Sequence, residues 1–249
     1  MAAIFGKEKI RKYYQTPSVA KSYFAERFET PLALALHKNQ IRLIGSAALK
    51  FGPKSILEIA PGPGRITTEV AFGGIAIESS KAMIERLKEN LSRSDRSNKW
   101  EVRRGNAFKT GMAKCSVDAV VTFRFIRHFD DNDRRRLYAE FGRIIKPGGY
   151  LIFDVPNETT ERTIRERNKG KYPVYDKLWS KHEFVREMKE NGFSVVSMKG
   201  NIKFFYLQTV ISKLLFWLPN VPSLVIRALE RIPVETANPF EWVAVCKKI

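Results

Sequence analysis

Short apolar runs alternate with amphipathic stretches along most of this 249-residue chain, and this alternation constrains the fold more than any other feature. The runs with strand character are SILEIA (55–60), GGIAIE (73–78), WEVRRGN (100–106), VDAVVTF (117–123), YLIFDVP (150–156), FSVVSMKG (193–200) and EWVAVCKK (241–248). Stretches such as 79–91 and 132–145 carry apolar residues at three- and four-residue spacing and lie between these runs. Strands that alternate with helices predict an α/β fold, in which helices cover both faces of a parallel sheet.

Two helical regions flank this pattern. VAKSYFAERF (19–28) and ALALHKNQIRLIGSAALK (33–50) predict helices before the first strand. Near the other end, residues 204–232 contain two apolar stripes at helical spacing. The first stripe is Phe204, Leu207, Ile211, Leu214, Leu215 and Leu218, and the second is Val221, Leu224, Val225, Ala228, Leu229 and Ile232. Charges and prolines interrupt this segment, so we do not expect a membrane-spanning helix.

A glycine-containing loop, from Glu58 to Arg65 (EIAPGPGR), follows the first predicted strand and precedes a predicted helix. Glycine lets the backbone approach a ligand closely, and the start of a helix offers unpaired N–H groups. A tight turn without a ligand would use the same residues. Glu78, fourteen residues after Gly64, ends the next strand, where a carboxylate can accept the two hydroxyls of a ribose. The two features together favour a nucleoside site.

The loop also limits which nucleoside fits. A dinucleotide-binding loop has three glycines in the pattern G-x-G-x-x-G/A, but here the pattern that begins at Gly62 ends in Thr67, and Ala60 precedes it where a further glycine is common. The carboxylate of Glu58 would repel a pyrophosphate and would suit a ligand with an ammonium group. S-adenosylmethionine has an ammonium, a carboxylate and a sulfonium, and has no phosphate.

From about residue 55 onward the chain resembles the class I S-adenosylmethionine-dependent methyltransferases, in particular their small-molecule and lipid branch. The segments that carry the resemblance are ILEIAPGPGR, GIAIESSKAMIERLKENL, RRGNAF, VDAVVTFRFIRHF, RIIKPGGYLIFDVPN and EWVAVCKK. It implies a Rossmann-like, mostly parallel sheet of seven strands in a single domain over 1–249. In that domain a helical lid (1–50) covers a core (51–203 and 235–249) that carries a helical insert (204–234).

The resemblance also implies the cofactor, S-adenosylmethionine with S-adenosylhomocysteine (SAH) as product, and the residues that hold it. These are Glu58, Ala60, Pro61, Gly62, Gly64, Glu78, Ser79, Met83, Asn106, Ala107, Phe108 and Phe123, with Tyr14 and Tyr23 from the lid. For the tyrosines, simple packing is the alternative. Ala60 stands where the family more often has glycine, which requires torsions that suit an L-residue. Asn106 replaces the usual aspartate, and an amide can still pair with adenine.

Three residues after the fourth strand are candidates for the transfer itself. His128, in RFIRHF, is the best candidate for a general base, and the alternative is a histidine packed against the following helix. Arg124 and Arg127 would suit a carboxylate or phosphate on the acceptor, or they carry ordinary surface charge. The run Arg134-Arg135-Arg136 is interpreted as a solvated helix face.

The charge of the chain bears on its partners. Forty-four basic residues against 26 acidic residues give a net charge of +18, which attracts nucleic acid, acidic lipid or an anionic substrate. The apolar insert has three interpretations: it packs on the core, forms an apolar substrate pocket, or lies on an anionic membrane surface. Cys115 and Cys246 form neither a disulfide framework nor a zinc motif, and no metal is expected. With no signal-peptide pattern, we expect a cytoplasmic protein, with peripheral membrane contact as an option.

The sequence therefore predicts a methyltransferase that acts on a small or lipid-like acceptor, anionic if the arginines contact it, by O-, N- or C-methylation. In-line transfer depends mainly on placing the acceptor against the methyl group, so a base is needed only if the acceptor keeps its proton. One alternative is a nucleic-acid, in particular RNA, methyltransferase. Another is a cofactor-binding protein without transfer activity.

Overall fold

The computed structural model describes residues 6–28, 30–96, 99–168, 174–215, 217–218, 220–234 and 238–249. Its sheet has seven strands in the order β3-β2-β1-β4-β5-β7-β6. The strands are β1 (Ile56–Ile59), β2 (Gly74–Glu78), β3 (Trp100–Arg104), β4 (Val117–Thr122), β5 (Ile145–Pro156), β6 (Phe193–Asn201) and β7 (Glu241–Lys248). β7 is antiparallel to both of its neighbours, and the pairs among β1 to β5 are parallel. The predicted mostly parallel, seven-stranded sheet is confirmed.

The helices lie before, between and beyond these strands. They are α1 (Lys7–Tyr14), α2 (Pro17–Phe28), α3 (Pro31–Phe51), α4 (Lys81–Ser92), α5 (Asp131–Ile144), α6 (Glu158–Arg167), α7 (Lys181–Glu190), α8 (Phe205–Leu214) and α9 (Val221–Arg231). Several begin at side chains that satisfy free backbone N–H groups. Ser80 accepts a hydrogen bond from Met83 N, Asp130 from Asp133 N, and Ser180 from Glu183 N.

The core has two layers, one on each face of the sheet. Alternate residues of β1 point to opposite faces, so Leu57 and Ile59 pack with α5 and α7, whereas Ile56 packs with α3 and α4. All four residues of β1 are buried, as expected for a central parallel strand. The strand is therefore apolar throughout except at Glu58, which makes that carboxylate conspicuous.

The insert packs on the N-terminal region of the fold. A small apolar cluster joins Ala35 and Leu36 of α3 to Ile202 and to Ile226 of α9. Phe216 of the insert lies outside the described residues. No helix among those that the structure describes is long and apolar enough to cross a bilayer.

Three local predictions differ from the structure. Residues 62–69 after the glycine loop form consecutive turns rather than a helix. Strand β5 begins at Ile145, five residues before the predicted strand at 150–156. Arg134 is buried, although Arg135 and Arg136 are exposed as predicted. Arg134 follows the helical spacing of the buried residues Leu137, Tyr138 and Phe141, so it lies on the packed face of α5.

Candidate functional site

The carboxyl ends of β1, β2 and β4 surround a cavity of about 470 Å³, which α1 and α2 border from the opposite side. This is the edge at which the strand order reverses, between β1 and β4, and it is the usual ligand site of open α/β sheets. The predicted residues that line the cavity are Tyr14, Tyr23, Glu58, Ala60, Pro61, Gly62, Glu78, Ser79, Met83, Asn106, Ala107, Phe108, Phe123, Arg124 and His128. Gly64 and Arg127 do not reach its wall.

The glycine loop takes its shape from backbone torsions that favour glycine. Gly62 and Gly64 have φ of +59° and +90°. A β-carbon on Gly64 would lie 2.5 Å from Leu87 Cδ1, so this glycine lets the loop pack on α4 rather than contact a ligand directly. Ala60 also has a positive φ, +54°. A positive φ is unfavourable for an L-residue, so the torsions at this position do not suit alanine. Ala60 therefore carries strain of roughly 1–2 kcal/mol.

Glu78 is held at the cavity by backbone groups of the neighbouring loop and helix start. Its Oε2 accepts a hydrogen bond from Gly62 N (3.1 Å), and its Oε1 accepts from Ser79 N (2.7 Å) and Ser80 N (2.9 Å). Burial nevertheless raises the pKa of this carboxyl above its ordinary value. Oε2 accepts only one of these hydrogen bonds and retains a lone pair, so the fixed carboxylate can accept a further hydrogen bond from a ligand in the cavity.

Glu58 is a second buried carboxyl on the same side of the cavity. Its Oε2 accepts a hydrogen bond from Thr67 Oγ1 (2.8 Å), and only 2% of the residue is exposed. Burial raises the pKa of Glu58 to about 7, and the nearby Glu78 adds to this rise. This end of the cavity therefore attracts a cation.

The segment that follows β3 forms part of the cavity wall and contains both polar and apolar residues. Gly105 N donates to the Glu78 carbonyl oxygen (2.9 Å), which joins the segment after β3 to β2. Asn106 Oδ1 accepts a hydrogen bond from Phe108 N (3.0 Å), and the Phe108 ring meets Phe129 edge-on at 5.3 Å. Asn106, Ala107 and Phe108 therefore form an ordered turn that faces the cavity.

His128 has one ring nitrogen in a buried polar cluster and the other near the cavity. Its Nδ1 lies 2.9 Å from the Tyr175 carbonyl oxygen and 2.7 Å from Asp176 Oδ1. Because a carbonyl only accepts, Nδ1 carries the hydrogen and Nε2 keeps its lone pair in the neutral ring. Tyr14 Oη is 3.4 Å from Nε2, a long contact. A base at this position is oriented by Asp176 and can accept a proton on the cavity side.

Arg127, predicted beside the acceptor, is instead buried in an ion-pair cluster behind the cavity wall. Its Nη1 lies 3.2 Å from Asp154 Oδ2, and its Nε lies 3.4 Å from Asp176 Oδ1. Burial opposes the ionisation of Asp176, but Arg127 and His128 hold the pKa of Asp176 well below its usual range. Arg127 thus neutralises Asp154 and Asp176, of which Asp176 lies beside His128, and it is not available to bind an anion in the cavity.

Arg124 lines the cavity in a strained backbone conformation. Its φ is +56°, and its backbone N donates to Asp154 Oδ1 (2.6 Å), which fixes the turn after β4. Its buried side-chain Nε has no hydrogen-bond partner among the described residues. The pKa of Tyr23 is lowered although burial alone would raise it, because Arg124 and Arg27 outweigh that effect. The cavity is therefore electropositive on this side.

Sequence reasoning missed three residues around the site. Arg65 lines the cavity and donates from Nη1 to His37 Nδ1 (2.9 Å) and to Gln40 Oε1 (2.5 Å). Asp154 and Asp176 orient Arg124 and His128 as described. Asp154 could have been found from the sequence, because it is an acidic residue near the carboxyl end of an apolar predicted strand. Asp176 could not, because it lies in a polar segment in which an acidic residue is not unusual.

Similarity to known proteins agrees with a ligand site at this edge of the sheet. Residues 56–149 match the model of a family described as a methyltransferase domain. The matched residues include β1, β2 and β4, the strands whose carboxyl ends border the cavity. Residues 56–149 carry a methyltransferase domain. The chain is similar to S-adenosylmethionine-dependent methyltransferases, and it shares the fold of solved methyltransferase structures.

Individual relatives are distant. A "probable S-adenosylmethionine-dependent methyltransferase" of Mycolicibacterium smegmatis is 25% identical over 150 residues, which are 59% of this chain. The chain covers about half, 54%, of the length of that relative.

Solved structures share the fold along almost the whole chain. A methyltransferase of Thermotoga maritima, described as a possible histamine N-methyltransferase, is 18% identical with a TM-score of 0.62, over 96% of this chain and 98% of that one. Magnesium protoporphyrin IX methyltransferase of Synechocystis with bound SAH is 10% identical with a TM-score of 0.66, over 98% and 100%. The [4+2]-cyclase SpnF is 12% identical with a TM-score of 0.64, over 100% and 99%. At these identities the likeness establishes the fold alone.

Proposed function

We propose that this protein transfers a methyl group from S-adenosylmethionine to a small or lipid-like acceptor that carries a negative charge, with His128 as general base. The observation that carries this proposal is the division of the cavity into two ends of opposite charge, with His128 on its wall. When bound, S-adenosylmethionine supplies an electrophilic methyl group on a sulfonium.

The acidic end fits the cofactor. Within the described ranges, neither Glu58 nor Glu78 has a hydrogen bond from a cationic side chain, although the charge of Arg65 acts on Glu58. Such buried carboxyls favour a ligand that brings positive charge or hydroxyl donors. Glu78 would accept the ribose hydroxyls and Glu58 would face the ammonium. The turn at Asn106 would meet the adenine. A cavity of about 470 Å³ lies within the range, roughly 300–1,000 Å³, of small-molecule sites.

The basic end favours an anionic acceptor. Arg124 Nε is buried and has no hydrogen-bond partner in the described part of the chain, and an anion placed there would satisfy it. Guanidinium groups suit the planar geometry of a carboxylate or the oxygens of a phosphate. Arg124 and Arg27 also lower the pKa of Tyr23 against the effect of its burial.

His128 supplies the proton acceptor. An acceptor hydroxyl loses its proton as its oxygen bonds to the methyl carbon and the carbon–sulfur bond breaks, whereas an ammonium must lose its proton before its nitrogen can attack. In either case Nε2, which has only the long contact with Tyr14 Oη, is the ring nitrogen that takes the proton. Asp176 stabilises the resulting imidazolium and keeps the ring in place. His128 and Asp176 thus form a base and its positioning residue. An activated carbon acceptor that is already ionised would not need them.

Following methyl-labelled S-adenosylmethionine into an extract of the source cells tests the reaction and the acceptor class together. The extract is separated into organic-soluble, water-soluble and nucleic-acid fractions. Label in an anionic compound of either of the first two fractions supports the proposal. Label in nucleic acid supports the RNA methyltransferase instead, and SAH binding without any labelled product supports a protein without transfer activity.

His128→Ala tests the base. We expect turnover to fall roughly 100- to 10,000-fold, with SAH affinity nearly unchanged, because a general base contributes about this factor. His182→Ala is the matched control, since His182 is exposed on α7 and lies outside the cavity. Full turnover of His128→Ala at every pH would show that His128 is not the base.

Arg124→Gln tests the charge of the acceptor. We expect the KM for the acceptor to rise about tenfold or more, the loss of one charge-assisted hydrogen bond, while SAH affinity stays the same. Arg135→Gln is the control, because Arg135 is exposed. A fall in SAH affinity with an unchanged KM would mean that Arg124 serves the cofactor carboxylate, and the anionic acceptor would lose its support.

A further inference from the structure

The outward side of the α8–α9 hairpin presents a continuous set of exposed apolar side chains. Tyr206, Val210, Leu214 and Trp217 follow helical spacing of four, four and three residues, with Leu207 beside them. Leu214 and Trp217 are 67% and 66% exposed, and Tyr206 is 59% exposed. Apolar patches of this kind are uncommon on monomeric soluble proteins and mark interaction surfaces.

Buried polar contacts fix this orientation of the hairpin. Glu230 of α9 accepts hydrogen bonds from Gln208 Nε2 of α8 (2.7 Å) and from Lys203 N (2.8 Å). Its other oxygen accepts from Asn39 Nδ2 of α3 (2.5 Å). Rotating α8 to bury its apolar stripe would expose Gln208 and leave Glu230 without these donors, at the cost of several hydrogen bonds. The apolar side is therefore held outward by the fold.

The patch is separate from the cavity. None of the described residues of the insert lines the cavity wall, so the interpretation of the insert as an apolar substrate pocket finds no support in the structure. Trp217 donates its indole N–H to the Leu214 carbonyl oxygen (3.0 Å). With this polar atom satisfied locally, the ring offers an apolar face to the outside.

Charge around the patch identifies the occupant. Lys213, Arg227 and Arg231 are exposed on the hairpin, while its single acidic residue, Glu230, is buried in the contacts above. Apolar residues with Trp and Tyr, flanked by lysine and arginine and free of exposed acids, suit the interface of a bilayer with anionic headgroups. A protein partner would more often show charges of both signs at the rim.

We propose that the exposed face of α8 and α9, from Tyr206 to Arg231, docks this protein onto the surface of an anionic lipid bilayer. The side chains of Leu207, Leu214 and Trp217 insert at the headgroup level, and Lys213, Arg227 and Arg231 contact the headgroups. This surface is independent of methyl transfer, so it can be tested whether or not the proposed reaction is correct.

Vesicle co-sedimentation of the full chain tests the docking surface. Vesicles of phosphatidylcholine with phosphatidylserine are compared with vesicles of phosphatidylcholine alone, and we expect binding to the first to be markedly tighter. Leu207→Gln with Leu214→Gln should weaken binding at least tenfold, since burying each leucine contributes about tenfold or more in full insertion. Lys213→Gln should weaken it about fivefold, the contribution of one cation near an anionic surface.

Leu49→Gln is the matched control, because Leu49 is 89% exposed on α3 and lies outside the patch. It should bind vesicles like the unchanged protein, and all variants should keep the same circular dichroism and SAH affinity. Equal binding by the Leu207/Leu214 variant and the control would overturn the proposal. So would the absence of vesicle binding together with a dimer that the Leu207/Leu214 substitutions dissociate, which would assign the patch to self-association.

Discussion

Replacing Glu58 by glutamine should stabilise the ligand-free protein at pH 8 and, in the same variant, weaken cofactor binding. Glutamine is close in shape to the protonated acid, and its carbonyl oxygen can still accept the hydrogen bond from Thr67 Oγ1. The substitution therefore removes the ionisable group with little change in packing. Its effect on stability comes from the difference between the folded and unfolded pKa of Glu58.

The magnitude follows from linkage. Burial raises the pKa of Glu58 to about 7 from an ordinary value of 4.5. Between these two values the folded state holds a proton that the unfolded state has released, so stability falls as the pH rises through this window. The difference of about 2.5 pH units corresponds to roughly 3 kcal/mol at pH 8, and to less than about 1 kcal/mol at pH 5. Glu58→Gln should recover about these amounts.

Urea unfolding of both proteins at pH 5, 6 and 8 measures the free energy of unfolding directly. The decisive quantity is the difference between variant and unchanged protein, because other carboxyls, such as Glu241 with a pKa raised to about 7, contribute equally to both. Glu85→Gln, an exposed change on α4, is the control and should show no pH-dependent difference. If the Glu58→Gln difference is the same at pH 5 and pH 8, the carboxyl is ordinary in the folded protein. SAH titration of the same samples should show weaker binding at pH 8.

Two further predictions concern buried carboxylates. Glu78→Gln should lower SAH affinity about 10- to 150-fold, because charge-assisted hydrogen bonds of roughly 1.5–3 kcal/mol are lost; calorimetry against Glu85→Gln checks this, and unchanged affinity in a folded variant would remove Glu78 from the site. Glu187→Ala should destabilise the fold by roughly 3–5 kcal/mol in urea unfolding at pH 7, because the buried Arg134 would lose its carboxylate partner (Nε–Oε1 2.8 Å), whereas exposed Glu190→Ala should change little. The pKa of Glu187 is held low against burial by Arg134, so this stability is lost only as the pH falls through that lowered value.

The acidic end of the cavity could be predicted because its parts are local in sequence. The loop at Gly62 and the acid Glu78 follow adjacent strands, and parallel strands bring their carboxyl ends to one edge of the sheet. The spacing of a few motifs therefore places these groups together. The torsion of Ala60 could not be predicted, because the need for a positive φ comes from the path of the loop between β1 and Gly64.

The other end of the site depends on contacts that span the chain. Asp176 reaches His128 from a segment 48 positions further along, through an ion-pair cluster with Arg127 and Arg165. Sequence periodicity does not indicate such a cluster. For this reason the sequence predicts, wrongly, that Arg127 faces the acceptor. The burial of Arg134, in contrast, could have been predicted, because its three-residue spacing to Leu137 places it on the packed face of α5.

The insert shows a third limit of sequence reasoning. Its apolar stripes are plain in the sequence, yet the faces that pack inward carry Gln208 and Glu230. Periodicity finds an apolar stripe, but it assigns the stripe to the core only if apolar contacts hold the helix in place. Here a buried polar cluster and the apolar contacts of Ile226 hold the helices, and the stripes are left half-buried or, as at Leu214 and Leu224, exposed.

Strained backbone and buried charge occur together at the edge of the sheet where the strand order reverses. The two loops that face each other there each contain a non-glycine residue with positive φ, Ala60 after β1 and Arg124 after β4. One loop carries a buried acid whose pKa is raised, and the other carries a guanidinium whose Nε has no hydrogen-bond partner among the described residues. Both features cost free energy, and a ligand that is cationic at Glu58 and anionic at Arg124 would lower that cost. If the proposed function is correct, a cationic acceptor would meet repulsion from Arg124, and we therefore expect the sign of the acceptor's charge to matter more for its binding than its shape.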